Sequence, residues 1–161
     1  MKGLHGIIFR ISKVMDVDGG VVLTLMMLIT VIDVILRFFG KPITGTYELV
    51  FLSGAVVIGC AIPRTSLEGG HVNVDFAIEH LPGMFKKVIM VFTRLMGIAF
   101  FVLLGWNLFA YGTALFNKHE VSLTLHVPYY PVAYILGICA FVECLALLSG
   151  LIRTVREVGH E

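Results

Sequence analysis

Four long apolar stretches constrain this chain more than any other feature, because each approaches the length needed to cross a bilayer. A spanning helix needs ~20 consecutive, mostly apolar residues. The stretches run over about 19–39, 47–62, 87–116 and 127–152. They predict an all-α integral membrane protein with four transmembrane helices, in which the whole chain forms one membrane domain.

The composition agrees with a membrane protein and excludes several other classes. Apolar residues make up 58% of the chain and charged residues 14%, whereas a soluble domain has ~45–50% and ~25%. A disordered chain and a soluble enzyme are therefore excluded. The net charge of +1 leaves no broad basic surface for nucleic acid, so we expect no nucleic-acid partner.

Two shorter segments have the periodicity of amphipathic helices. Over about 3–15, apolar residues fall on one helical face and basic residues on the other, a pattern typical of a helix lying in the membrane interface. A plain extension of the first span explains that pattern equally well. Over about 73–81, apolar residues recur at helical spacing before Pro82, which predicts a short interfacial helix.

The distribution of basic residues predicts the orientation in the membrane. Eight of the 12 lysines and arginines lie in the N-terminal arm, at the ends of the connection between the second and third spans, or in the C-terminal tail. The opposite side has Arg37, Lys41 and Lys118. Because positive charge is retained in the cytoplasm, both termini are expected there.

Charged residues inside apolar spans are the first candidates for function, since their burial is costly. Asp33 and Arg37 are four residues apart on the first span, with the acid first, and Glu48 opens the second span at a similar depth. The three are expected to form one network. A proton or ion site is one interpretation, and a structural ion pair between helices or with a partner is the favoured one.

A second pair of buried charges is predicted between the third and fourth spans. Arg94 lies ~10 Å from Lys87, and Glu143 lies ~15 Å from Arg153, by helical rise. If the two helices are antiparallel neighbours, the two side chains come within reach of each other. We expect a structural ion pair, because a lone buried charge is the worse alternative.

Sites for catalysis, cofactors or metals are not expected. His71 and Asp75 are four residues apart and suit a metal, but two ligands favour a local cap or surface contact. The six histidines avoid the span centres, which argues against axial haem ligands. The three cysteines lie in apolar runs without a CxxC pair, and nucleotide-binding fingerprints are missing. The chain is therefore expected not to be an enzyme.

The order of these features resembles the small membrane subunit of tripartite ATP-independent periplasmic (TRAP) transporters, the DctQ-like family. One motif is an arginine late in the first span, followed by a glycine and a Glu-Leu pair: Arg37, Gly40 and Glu48-Leu49. The second follows the second span and reads Gly-Gly-His-Val-Asn-Val-Asp over residues 69–75, then Leu81-Pro82. The resemblance covers nearly the whole chain.

This resemblance implies a function and a set of partners. Such systems combine a periplasmic substrate-binding protein with a large membrane subunit that carries the sodium and substrate sites. The small subunit packs on the static scaffold of the large one in the bacterial inner membrane and is expected to help dock the binding protein. Uptake of a small organic acid is driven by an ion gradient, typically sodium.

Two alternatives remain open from the residues alone. One is a small membrane-anchor subunit of a redox complex. The other is an autonomous proton-coupled carrier that uses Asp33 or Glu143.

Overall fold

The structure, a computed structural model, describes the backbone of residues 2–67 and 83–158 and the side chains of residues 6–67, 89 and 91–152. It contains four long helices: α1 (Lys2–Phe38), α2 (Thr46–Leu67), α3 (Gly83–Lys118) and α4 (Tyr130–Val158). Each is long and apolar enough to cross a membrane. The prediction of an all-α membrane protein with four spans is confirmed.

The first helix is continuous, so residues 3–15 form its first part rather than a separate interfacial helix. Gly19 lies within this continuous helix, and its missing side chain allows a close contact with α2. A Cβ at Gly19 would lie 3.3 Å from the Cβ of Cys60. The other predicted interfacial helix, over 73–81, lies outside the described residues, as do His71 and Asp75.

The second helix continues past Pro63 to Leu67, whereas the sequence predicts that it ends at the proline. A proline inside a helix removes one hydrogen bond to the preceding turn and its ring crowds a carbonyl of that turn, which can bend the helix without ending it. Pro63 is fully buried, and the next residue holds the last turn to α1. The Arg64 guanidinium lies 3.7 Å from the Asp16 carboxylate and 5.7 Å from the centre of the Phe9 ring.

The helices pack in the order α1, α2, α4, α3. Helix α3 packs mainly on α4, α4 on α2 and α2 on α1, with a smaller contact between α1 and α4. Glycines let two helices approach closely, as is usual in membranes. On α3 they face α4 side chains at three heights: Gly97 faces Leu147, Gly105 faces Phe141 and Gly112 faces Tyr134.

The helix contacts are built mainly from small side chains, while large apolar side chains point outward. Buried residues at the contacts include Cys60, Ala133, Cys139, Ala140 and Ala146. Exposed apolar residues occur on every helix, among them Leu25, Phe51, Leu103 and Ile138. This inside-out arrangement suits a surface covered by lipid or by another membrane subunit.

Candidate functional site

The loops at one end of the bundle meet each other and form the first candidate region. The α1–α2 loop contains Gly45, whose φ of 88° is in the left-handed region. Leu125, in the α3–α4 loop, packs directly on this glycine, and a Cβ there would overlap the leucine side chain. Only glycine satisfies both requirements, so Gly45 is where the two loops dock.

Asp33 fixes the first of these loops to α1. It is 4% exposed. One carboxylate oxygen accepts a hydrogen bond from Arg37 at 2.7 Å, and the other accepts one from the backbone N–H of Ile43 at 2.8 Å. Thr46 then donates its hydroxyl to the Ile43 carbonyl at 3.0 Å. The carboxylate therefore joins the last turns of α1 to the loop that leads into α2.

Glu48 fixes the second loop to α2. Its carboxylate accepts hydrogen bonds from the Ser122 hydroxyl, from the Thr124 N–H at 3.0 Å and from the Leu125 N–H at 3.1 Å. Ser122 is 1% exposed. One side chain in the first turn of α2 thus satisfies three donors in the loop between α3 and α4.

The structure therefore contains two acidic anchors in place of the predicted single network. It brings Asp33 and Arg37 together, but Glu48 makes its hydrogen bonds in the other loop. Backbone N–H groups of that loop need acceptors near the membrane, and a carboxylate at the start of α2 supplies them. Both anchors hold loop backbone, an arrangement that suits a fixed loop shape.

The second loop has a tight and unusual backbone. His119 and His126 have φ values of 52° and 54°, in the left-handed region. The Ser122 N–H donates to the Val127 carbonyl at 2.9 Å, and the His126 N–H donates to the Ser122 carbonyl at 3.2 Å. Left-handed conformations cost non-glycine residues energy. The Glu48 hydrogen bonds add to these backbone hydrogen bonds in holding the loop in this form.

Sequence reasoning missed the residues that Glu48 binds. Ser122, Thr124 and Leu125 lie 74 to 77 residues further along the chain. Two of the three donors are backbone N–H groups, which leave no mark on the side-chain pattern. The only available signal was the hydroxyl of Ser122 in a short loop at the same membrane boundary as the glutamate.

At the other end of the bundle, Arg94 and Glu143 do not pair, so the predicted ion pair is wrong. The Ser66 hydroxyl of α2 donates to Oε1 of Glu143 at 2.5 Å. The Arg94 guanidinium instead lies against Gly150, where a Cβ would come within 2.6 Å of Nη1. Gly150 is seven residues from Glu143 on α4, a rise of ~10 Å.

The register between α3 and α4 explains the error. The sequence places Arg94 and Glu143 at similar depths only if Lys87 and Arg153 mark the helix ends. In the structure, α3 begins at Gly83 and α4 continues to Val158. The actual alignment is set by the close contact of Gly97 with Leu147. Counting back one turn from Gly97 leads to Arg94, and counting on from Leu147 leads to Gly150.

Three buried polar atoms have no hydrogen-bond partner in the described part of the chain: Ser12 Oγ, Arg94 Nη1 and Glu143 Oε2. Within the same residues, histidine, cysteine and acidic side chains do not form a group of three that suits a metal ion. The thiols of Cys60 and Cys139 are 3.9 Å apart and free. The described residues therefore present anchors and unmatched polar atoms, not a recognisable reaction centre.

A comparison with known protein families matches residues 26–157 to the DctQ component of tripartite ATP-independent periplasmic transporters. This match covers most of the chain, from the second half of α1 almost to the end of α4. The chain belongs to the DctQ family. The resemblance found in the motifs is thereby confirmed. Comparisons of the chain with curated proteins and with solved structures found no match.

Membership of the DctQ family identifies the kind of protein to which the two acidic anchors belong. The protein is a small subunit of a TRAP transporter and a multi-pass membrane protein, and its family is one of transporter subunits rather than enzymes. Asp33, Glu48, Arg94 and Glu143 all lie within the matched range. The two acidic anchors therefore belong to the part of the chain that the family shares.

Proposed function

We propose that this DctQ protein supports sodium-driven uptake of a small organic acid across the bacterial inner membrane. It does so together with a large membrane subunit, which carries the transport site, and a periplasmic substrate-binding protein. The observation that carries this proposal is the family match over residues 26–157. In the described part of the chain, histidine, cysteine and acidic side chains do not form a group of three that suits a metal ion.

The exposed apolar surface supports a scaffold role beside a larger partner. The packing order leaves α1 and α3 at opposite ends of the row of helices, so the chain has a wide perimeter for its size. Large apolar side chains are exposed on both of these helices, including Met27 and Leu103. A large subunit covering part of this perimeter would gain apolar burial, and the rest would widen the complex in the lipid.

The anchored loops support a role in docking the binding protein. In the proposed orientation, with both termini in the cytoplasm, the two loops face the periplasm. Glu48 holds the loop after α3 so that Leu123 is 92% exposed at its tip. A loop held in one conformation binds a partner with a smaller loss of conformational entropy than a mobile loop does.

Co-purification tests the proposed partnership. The chain carries an affinity tag, is expressed with its large membrane subunit and is extracted in a mild detergent. We expect a complex of fixed stoichiometry on size-exclusion chromatography. If the chain migrates alone, as a monomer or self-oligomer, while the large subunit remains folded, the subunit role is contradicted.

A second candidate, an independent proton-coupled carrier, rests on Glu143. This residue is 1% exposed within α4 and has one carboxylate oxygen without a hydrogen-bond partner in the described residues. Acidic residues inside spans often mark proton paths. Proton-coupled uptake by proteoliposomes containing this chain alone would favour the carrier over the subunit.

A further inference from the structure

Arg94 is a membrane charge that the described fold leaves without a counterion. It lies in the apolar helix α3, eleven residues after the helix begins at Gly83. None of the ion pairs among the described residues involves it, and its buried Nη1 has no hydrogen-bond partner there. A partly buried cation within an apolar helix is costly without an anion, and the described residues supply none.

The Arg94 guanidinium of α3 lies directly against Gly150 of α4. A Cβ at position 150 would come within 2.6 Å of Nη1 and 3.2 Å of Cζ, so Gly150 provides the space that the cation occupies. Part of Arg94 remains exposed. Its neighbours Leu95 and Met96 are also exposed, so the open side of the guanidinium lies beside a surface suited to lipid.

The positions around this contact favour a phosphate over a carboxylate from a partner protein. Lys87 lies seven residues before Arg94 on α3, and Arg153 lies three residues after Gly150 on α4. These spacings place the Cα atom of Lys87 on the same side of α3 as Arg94, and the Cα atom of Arg153 on the same side of α4 as Gly150. Basic residues near a membrane surface attract anionic lipid headgroups, and a guanidinium fits a phosphate with paired hydrogen bonds.

We propose that Arg94, seated against Gly150, forms a binding site for the phosphate of an anionic phospholipid. The lipid headgroup lies beside the contact of Arg94 with Gly150, and its acyl chains follow the exposed apolar surface of α3. The bound phosphate completes the charge balance that the described residues leave open. The site then holds an annular lipid where α3 and α4 meet.

Native mass spectrometry tests this site on the full-length chain, purified with any subunits that accompany it. The delipidated protein is titrated with phosphatidylglycerol, phosphatidylcholine or inorganic phosphate. The variants are Arg94→Gln, which removes the positive charge, and Arg94→Lys, which keeps the charge but loses the paired N–H donors of the guanidinium. Arg10→Gln is the matched control, because Arg10 is an exposed arginine at the same end of the bundle.

We expect tight phosphatidylglycerol binding by the wild type and by Arg10→Gln. Affinity should fall about fivefold or more in Arg94→Gln, with Arg94→Lys between the two. Unchanged phosphatidylglycerol binding by Arg94→Gln would overturn the proposal, and if that variant does not fold, wild-type affinity in Arg94→Lys would do the same. Equal affinity for phosphatidylcholine, or full competition by inorganic phosphate, would contradict an anionic-lipid site. If Arg94→Gln loses the large subunit while its phosphatidylglycerol binding is unchanged, the proposal is also contradicted, because Arg94 would then bind the subunit and not the lipid.

Discussion

Two buried or partly buried carboxylates have the same task at neighbouring points of the fold. Asp33 accepts hydrogen bonds from a guanidinium and a loop N–H, and Glu48 accepts them from a hydroxyl and two loop N–H groups. Each carboxylate closes a loop that has little regular secondary structure of its own. At the level of single residues, these acids position backbone rather than carry an ion.

Glu48→Gln tests whether the anchor shapes the loop. An amide keeps the size of the side chain but loses charge and one of its two acceptor oxygens. We expect a lower melting temperature and faster proteolysis within residues 119–129. The control is Glu120→Gln, because Glu120 makes only a surface ion pair with Lys118 at 3.7 Å. Equal effects of the two substitutions would contradict the anchoring role.

The separation of Arg94 and Glu143 gives a second expectation. Because the two residues lie two turns apart in register, the variants Arg94→Met and Glu143→Gln should have independent effects. Their changes in unfolding free energy should add to within about 0.5 kcal/mol in the double variant. Thermal or denaturant unfolding of the purified protein measures this. A coupling above about 1 kcal/mol would restore the ion pair that the structure excludes.

At the scale of the helices, the sequence predicts the elements well and their contacts less well. The four apolar stretches identify the spans, because hydropathy acts locally along the chain. Helix ends and register depend on neighbours: Pro63 is accommodated within α2 by burial, and α3 is aligned on α4 by glycine contacts such as Gly97 with Leu147. Such contacts are long-range, so local spacing does not reveal them. The partners of Glu48 were missed for the same reason.

Gly137→Ala tests the tight packing of α3 on α4. A Cβ at Gly137 would come within 2.7 Å of the Phe109 ring. That ring is also packed against Tyr134 and Phe141, with centroids 5.7 and 5.8 Å away. Because the ring has little room to move, we expect a loss of about 1–3 kcal/mol in unfolding free energy.

The matched control for this substitution is Gly54→Ala in α2. A Cβ at Gly54 would have no other atom within 4 Å. Alanine is the better helix former, so this change should be neutral or stabilising by up to about 1 kcal/mol. If Gly54→Ala were as damaging as Gly137→Ala, helix packing would not be the cause of the loss.

For the whole molecule, four spans place both termini on one side of the membrane. The basic residues of both terminal segments favour the cytoplasm. Alkaline phosphatase, which is active only in the periplasm, should therefore be inactive when fused after Glu161. The same enzyme inserted after Leu123, at the exposed tip of the second loop, should be active. The reverse pattern would invert the topology and place the anchored loops in the cytoplasm.

The chain is one subunit of a larger transporter. Its family, its exposed perimeter and its anchored loops agree with a subunit that supports transport carried out elsewhere. We therefore expect uptake to require this chain although the chain does not transport alone.

Reconstituted uptake measures whether this chain is required. Proteoliposomes receive the large membrane subunit with or without this chain, an inward sodium gradient, and the binding protein loaded with its organic acid. We predict uptake only when all three proteins and the gradient are present. Full uptake without this chain, or uptake by this chain alone, would contradict the role of a supporting subunit.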